Sequence, residues 1–78
     1  MEFNEKLQEL RKQKGLTQEE LAELLYVSRT AISKWESGRG YPSITSLKAI
    51  ADLFNISIDS LLDVNIQSYD KENKSIQK

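Results

Sequence analysis

Between Ser28 and Ser37, four side chains that carry hydrogen-bond donors, Arg29, Thr30, Ser33 and Lys34, are interleaved with Ile32 and Trp35. The apolar pair falls at the spacing that buries one face of a helix, so the four donors are expected to face away from the core. A planar guanidinium can fork onto the O6 and N7 atoms of a guanine, and hydroxyls and an ammonium can bond base edges or phosphate oxygens. This is the chemistry of recognition. Bond-making chemistry has little to work with, because the chain holds neither histidine nor cysteine, which removes the readiest general base near neutral pH and the commonest zinc ligands. No pairing of nucleophile with base, metal-ligand cluster or glycine-rich phosphate loop is present in its place, so no catalytic residue, metal, cofactor or small-molecule substrate is expected.

The elements that must position those donors follow from periodicity and punctuation. Phe3, Leu7 and Leu10 recur at helical spacing among Glu and Lys residues, which predicts an amphipathic helix from about Asn4 to Lys14, ended by Gly15. Leu16 then enters the core, and Thr17 with Glu20 forms a capping box for a second helix that runs to about Leu25. Leu21, Ala22 and Leu25 face inward, and Ala22 stands where a large side chain would hold the second and third helices apart. Val27 makes a buried hinge, Ser28 caps the third helix, and Gly38 stops it.

Beyond the turn at Gly40, Tyr41 and Pro42, Ser43 caps a fourth helix whose inner face is expected to comprise Ile44, Leu47, Ile50, Ala51 and Phe54. Asn55 suits a left-handed end to that helix, and Ser57 caps a short fifth helix through Leu62. From Asp63 the composition turns to Asn, Gln, Ser, Asp, Lys and Glu, so residues 1–63 are expected to be one domain and residues 64–78 a flexible polar tail, with an extra helical turn possible around Tyr69.

Size and charge bound the rest. A chain of 78 residues has room for one domain with a small core. Its 11 basic and 12 acidic residues give a net charge of −1, unlike the basic balance usual in nucleic-acid binders. Distribution matters more than the total. Between Tyr26 and Lys48 the charged residues are Arg29, Lys34, Arg39 and Lys48 against Glu36, while the acids gather mostly on the first two helices. No apolar run approaches the roughly 20 residues needed to span a bilayer, and the start Met1 to Glu5 lacks the basic and apolar parts of a signal peptide. A cytoplasmic protein without membrane association is the expectation, consistent with the lack of cysteine.

Taken in order, Leu10-Arg11, Gly-Leu-Thr-Gln at 15–18, Glu-Leu-Ala at 20–22, Val-Ser-Arg at 27–29, Ile-Ser-Lys-Trp-Glu-Ser-Gly at 32–38, Tyr-Pro-Ser at 41–43 and Asp-Ser-Leu-Leu at 59–62 resemble the Cro and phage-repressor type, or Xre-like, helix-turn-helix domains. Each piece is common by itself, whereas the ordered set from Asn4 to Leu62 is specific. The resemblance implies an all-α, five-helix phage-repressor-like bundle in which the third helix enters the major groove of double-stranded DNA and the second lies across the backbone. Carried over by position, Arg29, Thr30, Ser33 and Lys34 would contact bases, and Thr17, Gln18, Ser28, Arg39, Tyr41 and Ser43 would contact phosphates. Arg11 and Glu36 would form a structural ion pair tying the first helix to the end of the third.

The resemblance further implies a transcriptional regulator, a repressor by expectation, acting as a homodimer on a palindromic operator with the fifth helix and tail as the candidate dimer surface. A protein-interaction module of the antitoxin or antirepressor kind is the alternative on the same fold. Several residues have plainer readings beside these. Gln18, Ser28 and Ser43 are cap-type residues, Trp35 has core spacing rather than that of a base-stacking ring, and Arg29 and Lys34 without the surrounding motif would be a solvated helix face. Tyr26 departs from the family, which often has glycine there. In a left-handed backbone a tyrosine costs roughly 1–2 kcal/mol relative to glycine unless its ring packs.

Overall fold

The computed structural model describes residues 2–62 of the chain. Five helices follow one another: α1 (Phe3–Gln13), α2 (Gln18–Leu25), α3 (Arg29–Ser37), α4 (Ile44–Phe54) and α5 (Ile58–Leu62). The domain boundary at residue 63 and the tail, including the turn suggested near Tyr69, lie outside the described residues.

The helix starts are set by local chemistry. Glu5 Oε1 accepts the Glu2 amide at 3.2 Å, which begins α1 at Phe3, a residue earlier than periodicity predicts. At α2 the Thr17 hydroxyl accepts the Glu20 amide at 3.0 Å and Glu20 Oε1 accepts the Thr17 amide at 2.9 Å, closing the expected capping box. Ser28, Ser43 and Ser57 cap α3, α4 and α5 by accepting the amides of Ala31, Ser46 and Ser60. The stops are equally local. Gly15, Gly38 and Asn55 all take left-handed backbone, as their positions after helices require.

Leu7, Leu21, Ile32, Ile50 and Leu61 are fully buried, one from each helix, so a single core draws on all five elements. Phe3, Leu25, Trp35, Leu47 and Phe54 surround them, and Leu10, Leu16 and Val27 are half-buried against the cluster. Ala22 is buried on α2, as expected, and α2 packs on α3. α1 packs on α3 and α5, and α4 packs on α2 and α5. The two-helix unit is thereby held by α1 and α4, which α5 joins to each other.

One expected core position is corrected. Ile44 is 62% exposed, although it shares a helical stripe with Leu47 and Ala51. It is the first residue of α4, directly after the Ser43 cap, and the first turn projects beyond the packed part of the helix. Periodicity assigns a face but does not say where along a helix the core ends.

Candidate nucleic-acid interface

On α3, burial and exposure divide the side chains cleanly. Ile32, Trp35 and Glu36 are buried, while Arg29, Thr30 and Lys34 are exposed together on the outer side and at the first turn. Ser33 is half-buried, closer to the bundle than its expected role suggests, because its helical angle falls between the two faces. The Ala31 amide of the first turn of α3 is held by Ser28, and the Arg29 and Thr30 amides have no acceptor within the helix. They stand at the positive end of the helix dipole, beside Arg29, which suits an anionic backbone.

The residues expected at phosphates occupy three places around this face. Thr17 and Gln18 begin α2, Ser28 begins α3, and Arg39, Tyr41 and Ser43 belong to the loop between α3 and α4. Thr17, Ser28 and Ser43 use hydroxyl lone pairs for capping. Accepting a helix amide leaves the hydroxyl proton available, so capping and donation to a phosphate are compatible. Ser43 is the exception, because its Oγ donates to Ser46 Oγ at 3.4 Å and would exchange that bond for one to a phosphate. Arg39 is exposed, and its Nε donates to the Ser37 hydroxyl at 3.2 Å, while that hydroxyl donates to the Lys34 carbonyl at 3.1 Å. Ser37 thus ties the Arg39 guanidinium to the end of α3, a role that sequence spacing does not reveal.

Gln18 is turned inward. Its Nε2 donates to Glu36 Oε1 at 3.0 Å, which leaves one amide proton and the carbonyl oxygen for other partners. Glu36 is also the partner of Arg11, as the sequence leads one to expect. Arg11 Nε reaches Glu36 Oε2 at 2.7 Å and Nη2 reaches Oε1 at 3.1 Å, a two-pronged pair with side-chain exposures of 12% and 3%. Arg11 Nη1 adds a bond to the Leu16 carbonyl at 2.8 Å. One carboxylate therefore joins α1, the start of α2 and the end of α3, and the buried charge is balanced as it must be in a low-dielectric setting.

Tyr26 ends α2 with φ 60° and ψ 41°, the left-handed conformation, and is 94% exposed. Its ring packs on nothing that would offset the strain, so the turn keeps left-handed geometry at a cost of roughly 1–2 kcal/mol relative to glycine. Charge is segregated around the motif. Glu19, Glu20 and Glu23 are exposed on α2, whereas the exposed charges from α3 to the middle of α4 are Arg29, Lys34, Arg39 and Lys48, with Glu36 neutralised by Arg11. No described helix is long and apolar enough to cross a membrane.

Comparison with known proteins agrees with this geometry. The chain is 71% identical over 62 residues to the HTH-type transcriptional activator BcrR of Enterococcus faecalis, an overlap of 80% of this chain and 30% of the activator. It therefore spans less than a third of that relative's length. Among solved structures it resembles the P22 c2 repressor protein in complex with a synthetic operator, with a TM-score of 0.75 and 31% identity over 80% of this chain and 94% of that one. It also resembles a chain of the SinR protein/SinI protein complex, with a TM-score of 0.74 and 28% identity over 95% of this chain and 73% of that one. The helix-turn-helix family model matches residues 7–61, nearly the whole described bundle. With the capped α2 and α3, the left-handed turn between them and the buried Arg11–Glu36 pair in place, the chain belongs to the helix-turn-helix family.

Proposed function

We propose that the protein is a sequence-specific, DNA-binding transcriptional regulator that inserts α3 into the major groove. The observation that carries this reading is the division of α3, in which Arg29, Thr30 and Lys34 are exposed while Ile32, Trp35 and Glu36 are buried. Arg29, Thr30, Ser33 and Lys34 read base edges. Thr17, Gln18, Ser28, Arg39, Tyr41 and Ser43 hold phosphates and fix the register without reading sequence. The resemblance to a repressor crystallised with its operator supports the same arrangement.

A single α3 covers only a few base pairs. The regulator therefore acts as a homodimer on a palindromic operator, with half-sites about one helical turn (~34 Å) apart and α5 with the following residues as the dimer surface. Residues 1–63 form the binding unit, and the protein works in the cytoplasm without catalysis or cofactor. Repression needs only occupancy of the operator, which this unit can supply. Similarity to part of a longer activator makes activation the competing outcome, decided by the sign of a reporter's response when the operator is placed beside its promoter.

Selection of bound duplexes from a random pool tests the whole reading. The expected result is an enriched two-fold symmetric sequence whose half-sites are spaced by one turn; a pool that enriches nothing contradicts it. A second reading, a module that holds another protein, draws support from the resemblance to a chain solved in the SinR/SinI complex. Salt separates the two, because binding through several phosphates weakens steeply as salt rises and binding through an apolar surface does not.

A further inference from the structure

Tyr41 stands in the loop between α3 and α4, and its ring is 60% exposed. The ring nevertheless rests on Phe3, with centroids 4.9 Å apart and planes inclined at 49°. Phe3 is only 4% exposed and opens α1, outside the two-helix unit altogether. The end of α3 also passes near the first turn of α1, since a Cβ added at Gly38 would stand 3.7 Å from Asn4 Nδ2. At Gly40 the loop folds back against α3, where the corresponding position is 3.4 Å from Lys34 Cβ, and Pro42 is buried directly after Tyr41.

We infer that Phe3 is a positioning residue for the DNA-backbone clamp formed by Arg39, Tyr41 and Ser43, acting through the Tyr41 ring. This rests on the DNA-binding reading above. Phosphate contacts set the register of a protein on the duplex, so their value depends on a fixed offset from the groups that read bases. The α3–α4 loop has no regular structure to maintain such an offset. A tilted aromatic pair supplies it, because one ring is fixed in the core and the other carries the phenol at the surface. The first turn of α1 thus sets the distance between the Tyr41 hydroxyl and the side chains of α3.

Titration of the full chain and its variants on a selected duplex tests this, at a temperature where circular dichroism shows every variant fully folded. Phe3→Leu keeps an apolar side chain in the core and removes the ring. We expect its Kd to rise about threefold to tenfold, the range that an aromatic pair contributes. We expect the same for Tyr41→Ala, with Phe3→Leu adding nothing in the Tyr41→Ala background and the preferred bases unchanged. If Phe3→Leu does not fold, Phe3→Met, which retains volume, answers the same question. Binding by the folded Phe3 variant as tight as the parent's, or losses that multiply in the double variant, would overturn the inference. Failure of Arg29→Ala to weaken binding in the same titration would instead remove the DNA-binding reading on which it rests.

Discussion

Tyr26 and Glu36 are opposite solutions to local difficulty. Tyr26 carries a left-handed backbone with its ring in solvent, so nothing in the fold repays the strain. Tyr26→Gly should therefore raise stability by about 1 kcal/mol once glycine's greater freedom in the unfolded chain is counted, a shift of about 4–8 °C in Tm for a domain this small. Thermal melts monitored by circular dichroism check this, and a fall in Tm would mean that the ring has a stabilising contact after all. Glu36 is buried with three donors converging on it from Arg11 and Gln18. Glu36→Ala leaves Arg11 nearly buried without its counter-charge and should destabilise the fold by about 3–5 kcal/mol, measured by urea denaturation. A change of a few tenths would show that water reaches the guanidinium easily.

At the scale of elements, the angle between α2 and α3 depends on small contacts. Ala22 is buried on α2, which packs on α3, and Ala22→Leu should overfill the core and shift the two helices, costing about 1–3 kcal/mol and lowering duplex affinity even where the protein remains folded. Calorimetry together with a binding titration checks both parts, and retention of parental stability and affinity would argue against tight packing at this contact. Much of this level was readable from the residues alone. Thr17 with Glu20, Ser28, Ser43 and Ser57 begin helices by capping chemistry that acts over three positions, and Gly15, Gly38 and Asn55 end them through their own backbone preference. Interactions between distant segments were harder to read. Family resemblance implies the Arg11–Glu36 pair, whereas the turn of Gln18 toward Glu36, the tether of Arg39 by Ser37 and the Phe3–Tyr41 ring pair depend on packing and side-chain direction that neither periodicity nor capping encodes. The exposure of Ile44 escapes periodicity for a related reason, since a stripe on a helix continues past the point where the core ends.

For the whole molecule, a net charge of −1 is compatible with a polyanionic partner because the charges are sorted by element. Acids crowd α2, α1 mixes Glu5 and Glu9 with Lys6, Arg11 and Lys12, and the exposed charges of α3, the loop and early α4 are basic. A dimer that neutralises about six phosphates should lose roughly a thousandfold in affinity between about 50 and 200 mM salt, and Arg39→Ala should make that dependence shallower. A flat response would favour a protein partner instead. The central claim is that the exposed side of α3 reads bases, and the most direct measurement is a titration of parent, Arg29→Ala and Lys34→Ala against the selected duplex and against duplexes altered at single base pairs. Arg29→Ala should lose about 1–3 kcal/mol of binding and cease to discriminate at the base pair it contacts. Parental affinity and an unchanged base preference in both variants would contradict the account.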